Sequence, residues 1–204
     1  MITEKRKLLQ LVAAVLLAVM LLTACASGAS KAADKIELGQ KYLTELNYTE
    51  AVASFTEAIR LDPDNIQAYM GRAEAYLALG EYEKALEDYR FVSQKTEEMP
   101  YTRAISYMGQ AEVYEKIDKQ DRALADYGLA KVLLTASDVG KAESVSEDDI
   151  KIKLVEALYA HAMLSEKIKV YDNALEDYEE LLKLGEKVAV SYTHLRAHET
   201  GRNL

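Results

Sequence analysis

The feature that most constrains this chain is a pattern of small and aromatic residues that returns along its length. Ala51 and Phe55 recur as Ala85 and Tyr89, 34 positions further on. Residues 69–74, Tyr-Met-Gly-Arg-Ala-Glu, recur at 107–112 with one change, and residues 85–89, Ala-Leu-Glu-Asp-Tyr, recur unchanged at 174–178. Such a period is typical of two-helix units that stack on their neighbours. The sequence therefore predicts a repeat array.

Composition and spacing indicate that the units are helical hairpins. The chain has only nine Gly and two Pro among 204 residues, and it is rich in Ala, Leu, Glu and Lys, which lose little on entering a helix. Extra residues separate the second and third copies, and Pro100 there predicts a break between helices. The fourth copy is weaker, because Ser165 replaces the aromatic residue of the earlier copies. We expect three regular hairpins and one degenerate hairpin.

The first copy carries the clearest family resemblance. Its marked residues resemble the tetratricopeptide repeat, although Lys35 stands where that family has an early aromatic residue. The resemblance implies an all-α fold, a right-handed superhelical array of antiparallel helix hairpins (an α-solenoid), that acts in protein–protein interaction. Most of the fourteen tyrosines fall at repeat positions, so we interpret them as packing residues rather than an aromatic ligand box. The marked residues are Leu38, Gly39, Tyr42, Ala51, Phe55 and Pro63.

The amino-terminal residues predict export and a lipid anchor. Residues 5–7 are basic, and the apolar stretch 8–22 is shorter than the ~20 residues that span a bilayer, so residues 1–24 fit a signal peptide. Residues 22–25, Leu-Thr-Ala-Cys, resemble the lipobox of bacterial lipoproteins. That resemblance implies a diacylglycerol on Cys25 and a position outside the cytoplasm, on the cytoplasmic membrane or on an outer membrane. Residues 25–34 are then the lipidated cysteine and a flexible tether.

The rest of the chain divides by composition. Residues 35–134 hold repeats one to three, residues 135–150 form a loop, and residues 151–189 form the fourth hairpin. Residues 146–149, Ser-Glu-Asp-Asp, look like a helix start with acids in its first turn. Residues 190–204 break with the pattern, and most of them match one translation of the transposon end used in short-read sequencing libraries. We interpret this tail as non-native and the chain as truncated.

No catalytic or metal site can be assembled from these residues. His161 aligns with Arg72 and Gln110 of earlier copies, where a structural role is expected. His194 and His198 are spaced like metal ligands but fall in the non-native tail. We therefore expect no enzyme activity, cofactor or metal. The net charge of −9 also disfavours nucleic acid as a partner.

A protein or peptide partner is the remaining expectation, held by the first helix of each hairpin. The family's groove-facing positions mix Met and Leu with Glu, which suits an amphipathic or basic segment; alternatively they are merely the exposed side of these helices. The leading hypothesis is a membrane-anchored interaction scaffold. The alternative is the recruiting arm of a longer cell-envelope enzyme. The groove candidates are Ile36, Gln40, Leu43, Met70, Glu74, Leu77, Met108, Glu112, Glu115, Tyr159, Met163 and Glu166.

Overall fold

A computed structural model describes residues 29–136, 139–141 and 143–185, and all regular structure in those ranges is helical. This confirms the predicted all-α array of helix hairpins. The signal peptide, Cys25 and the 190–204 tail lie outside the described residues. None of the described helices is long and apolar enough to cross a membrane. The helices are α1 (29–44), α2 (Tyr48–Leu61), α3 (Ile66–Ala78), α4 (Tyr82–Lys95), α5 (Pro100–Lys116), α6 (Gln120–Thr135), α7 (Glu147–Lys167) and α8 (Tyr171–Lys183).

Two compact units divide the chain, Met1–Ala75 and Tyr76–Leu204. The core of the first unit surrounds Phe55, which is fully buried on α2. A methyl group added at Gly71 of α3 would lie 2.3 Å from this ring, and one at Gly39 of α1 would lie 2.8 Å away. Glycine therefore lets two helix backbones approach the same aromatic ring.

The second unit repeats this contact. Tyr89 on α4 is 5% exposed, and a methyl group added at Gly109 of α5 would lie 2.4 Å from its ring. Gly109 and Gly71 are equivalent positions of successive copies, as are Tyr89 and Phe55. The spacing of small and aromatic residues that predicted the array therefore reflects one packing contact between consecutive hairpins.

The turns inside the four hairpins share one backbone geometry. Leu46, Gly80, Asp118 and Lys169 each adopt a positive φ, of 60°, 76°, 57° and 66°. After each of them, the next backbone N–H donates to the carbonyl five residues earlier, as from Val170 to Ser165 at 2.8 Å. The fourth hairpin, predicted as degenerate in its side chains, thus keeps the turn of the other three.

Replacing Lys169 by Gly should stabilise the protein. A residue with a Cβ in the left-handed region costs roughly 1–2 kcal/mol relative to the right-handed region, and Gly80 occupies the equivalent position without that cost. Glycine has more conformational freedom than lysine in the unfolded chain, and this offsets part of the benefit. We therefore expect a net gain of about 0.5 kcal/mol in the free energy of unfolding. Urea denaturation measures it. The matched control Lys151→Gly, at an exposed position within α7, should lose about 1 kcal/mol.

The start of the body differs from the prediction of a flexible tether. Residues 29–34 belong to α1, and Ala32 is fully buried. Alanine has the highest helix propensity, and Ala32 lies four residues before Ile36 on one side of the helix. Burial of that side extends the helix to residue 29.

The segment between the third and fourth hairpins does more than connect them. α7 begins at Glu147, and the Ser146 hydroxyl accepts a hydrogen bond from the Asp149 backbone N–H at 3.1 Å, which confirms the predicted helix start. The Glu143 carboxylate accepts hydrogen bonds from the backbone N–H groups of Tyr101 and Thr102, at 2.8 and 2.9 Å. It thereby caps the first turn of α5, where Pro100 supplies no N–H.

Candidate partner-binding face

The structure places the twelve groove candidates in three environments. Ile36 and Leu43 are only 7% and 6% exposed and belong to the first unit's core with Phe55. A partner cannot reach them in this conformation, because they lie on the side of α1 that packs on α2. Among the others, Gln40, Glu74, Met163 and Glu166 are exposed, and Met70, Leu77, Met108, Glu112, Glu115 and Tyr159 are half-buried.

Six of these candidates lie on two helices of the second unit that contact each other. Their positions on α5 recur on α7 with a constant offset, so equivalent side chains follow equivalent sides of the two helices. We call this set the first-helix face. It consists of Met108, Glu112 and Glu115 on α5 and Tyr159, Met163 and Glu166 on α7.

Tyrosine hydroxyls from the second helices orient two of its carboxylates. The Tyr127 hydroxyl of α6 donates to Glu115 at 2.8 Å. The Tyr178 hydroxyl of α8 donates to Glu166 at 3.1 Å and approaches the Met163 sulfur at 3.5 Å. The two hairpins therefore hold an acidic side chain at the same place by the same contact.

Behind this face, a buried polar trio joins the third and fourth hairpins. The two oxygens of Asp177 bind His161 Nδ1 at 2.5 Å and Lys131 Nζ at 2.6 Å. Asp177 is fully buried. Burial by itself would raise the pKa of Asp177, but the hydrogen bonds and charges of His161 and Lys131 outweigh it and lower the pKa below its ordinary value. The trio is thus an ion-paired contact between α6, α7 and α8.

The Asp177–His161 pair has the geometry of an oriented general base, but its surroundings give it a structural role. Both side chains are buried, so no substrate reaches the ring. The buried hydroxyl of Ser165, one turn further along α7, has no hydrogen-bond partner among the described residues. The described residues also contain no cluster of three or more His, Cys, Asp or Glu suited to a metal ion. His161 is thus buried in a contact between helices, which is where its alignment with Arg72 and Gln110 predicts it.

Asp126 occupies the position of Asp177 in the third hairpin but lacks its partners. Gln110 stands in the place of His161, and Ser93 in the place of Lys131; these two side chains hydrogen-bond each other at 3.4 Å. One Asp126 carboxylate oxygen is buried and has no hydrogen-bond partner in the part of the chain that the structure describes. Burial raises the pKa of Asp126 to about 6, and the charges of Arg90 and Arg122 offset this only in part.

Asp126→Asn should therefore stabilise the protein near neutral pH. The folded pKa lies above the unfolded one, so the ionised carboxylate disfavours folding above pH 6, and protonation relieves this as the pH falls toward 4. We expect a gain of about 1 kcal/mol at pH 7.5, since solvent partly screens the group. The gain should shrink at pH 5. Urea denaturation at both pH values measures it, and Glu176→Gln, on exposed α8 surface, should show no such change.

The sequence did not reveal the trio or the Glu143 cap. Asp177 is one of many acidic residues in the repeats, and its partner Lys131 lies 46 positions away. One signal was available, because the same repeat position carries Asp88, Asp126 and Asp177. A charge retained at a position flanked by packed residues indicates that the position is buried.

Comparison with known proteins agrees with this geometry. Residues 36–90 match a sequence model described as Tetratricopeptide repeat. The first repeat domain of Spaghetti (RPAP3), bound to the HSP90 peptide SRMEEVD, superposes with a TM-score of 0.54 at 22% identity, over 69% of this chain and 95% of that one. MamA from Desulfovibrio magneticus RS-1 superposes with a TM-score of 0.58 at 14% identity, over 75% of each chain. The fold is that of the tetratricopeptide repeat (TPR).

Curated relatives match over shorter stretches. Small glutamine-rich tetratricopeptide repeat-containing protein beta of Homo sapiens is 44% identical over 50 residues, which is 24% of this chain and 16% of that protein. The chain spans 16% or less of the length of the curated relatives it matches. The sequence likeness therefore concerns a short segment of longer proteins.

Proposed function

We propose that this chain is a membrane-anchored interaction scaffold outside the cytoplasm, without enzymatic activity, whose first helices hold a segment of a partner protein. The single observation that carries the proposal is the first-helix face, where Glu115 and Glu166 stand at equivalent positions of two hairpins and each accepts a tyrosine hydrogen bond. The Spaghetti domain, of the same fold, binds a peptide, which supports a binding role for such a surface.

Photo-crosslinking tests the binding role. A photoreactive amino acid replaces Met163, which is 45% exposed on the first-helix face, or Leu129, which is 47% exposed on α6. We expect a discrete adduct with one protein, identified by mass spectrometry, from position 163 only. Equal adducts from both positions, or none from position 163 in the native host, would refute binding at this face.

The membrane anchor rests on the lipobox-like residues before Cys25. We expect the chain, expressed in its native host, to incorporate labelled fatty acid and to fractionate with membranes. Cys25→Ala should abolish the labelling. Labelling that persists in this variant, or wild-type protein that is never labelled, contradicts the anchor.

The alternative is a recruiting arm of a longer cell-envelope enzyme. It is favoured by the relatives, in which the matched segment is a small part of a longer protein. The gene downstream of codon 189, read from genomic DNA, decides between the two. An enzyme domain in frame supports the alternative, and an early stop codon excludes it.

A further inference from the structure

The first-helix face combines accessible apolar groups with fixed acidic groups. Met163 is 45% exposed, and Met108 and Tyr159 are half-buried. Methionine adapts its shape to different partners and is favoured on binding surfaces. Met108 lies seven residues before Glu115, which is two turns or ~10 Å along α5. The face thus has an apolar part and an acidic end.

The carboxylates at the acidic end are positioned but not neutralised. Each uses one oxygen to accept the tyrosine hydrogen bond, and within the described residues neither Glu115 nor Glu166 forms an ion pair. By contrast, Glu57 and Glu156 pair with basic residues three positions away. The tyrosines fix the orientation of the two acids without cancelling their charge.

The helix ends reinforce this negative charge. Glu115 and Glu166 lie in the last turns of α5 and α7, where the helix dipole is itself negative. The next residues, Lys116 and Lys167, are displaced by about 100° around the helix axis, away from the carboxylates. At each of these two helix ends, a cationic side chain of a partner would meet a carboxylate and the negative end of the helix dipole.

From these contacts we propose that the first-helix face binds a basic amphipathic segment, with one Lys or Arg on each of Glu115 and Glu166 and apolar side chains on Met108, Tyr159 and Met163. The inference rests on the proposed function and names the chemistry of its partner. Packed helices lie roughly 8–10 Å apart, a distance that basic residues span at i, i+7 on one side of a helix.

The same charges disfavour acidic peptides as ligands of this face. The HSP90 peptide held by the Spaghetti domain ends in Glu-Glu-Val-Asp. Glu115 and Glu166 would repel such a sequence, and the net charge of −9 adds to the repulsion. Similarity of fold therefore does not extend to the charge of the peptide.

Fluorescence anisotropy with two labelled 14-residue peptides tests the inference. One contains Leu and Lys at helical spacing, and the other has Glu in place of every Lys. The full chain, in a non-ionic detergent, should bind the Leu–Lys peptide at least tenfold more tightly than the Leu–Glu peptide. Glu115→Gln with Glu166→Gln should weaken binding of the Leu–Lys peptide at least tenfold, because glutamine keeps the shape and removes the charge.

The control pair, Glu147→Gln with Glu176→Gln, changes the net charge equally at exposed positions away from this face and should weaken binding less than twofold. An equal loss of peptide binding in the two double variants would show non-specific electrostatic attraction and overturn the inference. So would equal binding of both peptides. If the crosslink from position 163 persists while the Leu–Lys peptide fails to bind, the scaffold function stands and the basic partner is wrong.

Discussion

Asp177→Ala should lower the free energy of unfolding of the fourth hairpin by about 3–5 kcal/mol, the usual cost of leaving a buried charge without its partner. The substitution removes the acceptor of both His161 and Lys131. Asp177 is fully buried, so water cannot replace it without opening the contact between α6, α7 and α8. This loss is the largest that we expect from any single acidic residue described.

Urea denaturation followed by circular dichroism measures the loss, and amide hydrogen exchange locates it in α7 and α8. Asp177→Asn, which keeps one acceptor oxygen, should lose less. The neighbouring exposed residue provides the control, and Glu176→Ala should stay within about 0.5 kcal/mol of wild type. An Asp177→Ala protein as stable as the control would show that the trio contributes nothing.

The contribution of Asp177 should also depend on pH. Its folded pKa is lowered, so its stabilisation is present above the unfolded pKa of about 3.9 and disappears as the pH falls through the lower folded value. The difference between wild type and Asp177→Ala should therefore be full at pH 6 and shrink toward pH 2. Asp126 has a raised pKa, so its contribution has the opposite sign. Its ionised carboxylate destabilises the protein at neutral pH, and this cost disappears as the pH falls.

Gly109→Ala should be the second most damaging change, at about 1–3 kcal/mol. The added methyl group would lie 2.4 and 2.5 Å from two carbons of the Tyr89 ring, and that ring is buried and cannot swing into solvent. The clash outweighs the gain of up to ~1 kcal/mol that alanine brings to a helix. Thermal and urea denaturation measure the net loss.

Gly128 in α6 provides the matched control. A methyl group there would lie 3.7 Å from His161 Nε2, an ordinary contact, so Gly128→Ala should be neutral or stabilising. Adding Tyr89→Leu to Gly109→Ala should recover part of the loss, because the smaller side chain makes room. Additive losses in that double variant would indicate that ring and glycine do not interact.

The sequence predicted the hairpins because their packing partners recur at fixed spacing. Phe55 with Gly71, and Tyr89 with Gly109, are pairs of distinctive residue types whose repetition is visible in one chain. The break between helices at Pro100 and the helix start at residues 146–149 were predictable for a different reason, because local chemistry determines them.

The site was less predictable because it depends on contacts between distant residues. Glu143 caps α5 from 41 positions away, and nothing in its neighbourhood indicates that role. Ile36 and Leu43 were assigned to the groove from family positions, yet their apolar side chains pack on α2. Burial overrode the family pattern where this chain carries large aliphatic residues.

The helical start at residue 29 limits how far the body can stand from a lipid surface. With Cys25 acylated, as proposed, four residues at full extension reach about 14 Å at most, so the first hairpin remains next to the headgroups. A captured protein would be confined to a thin layer above the bilayer. Its encounters with other components of that layer would then be governed by local concentration.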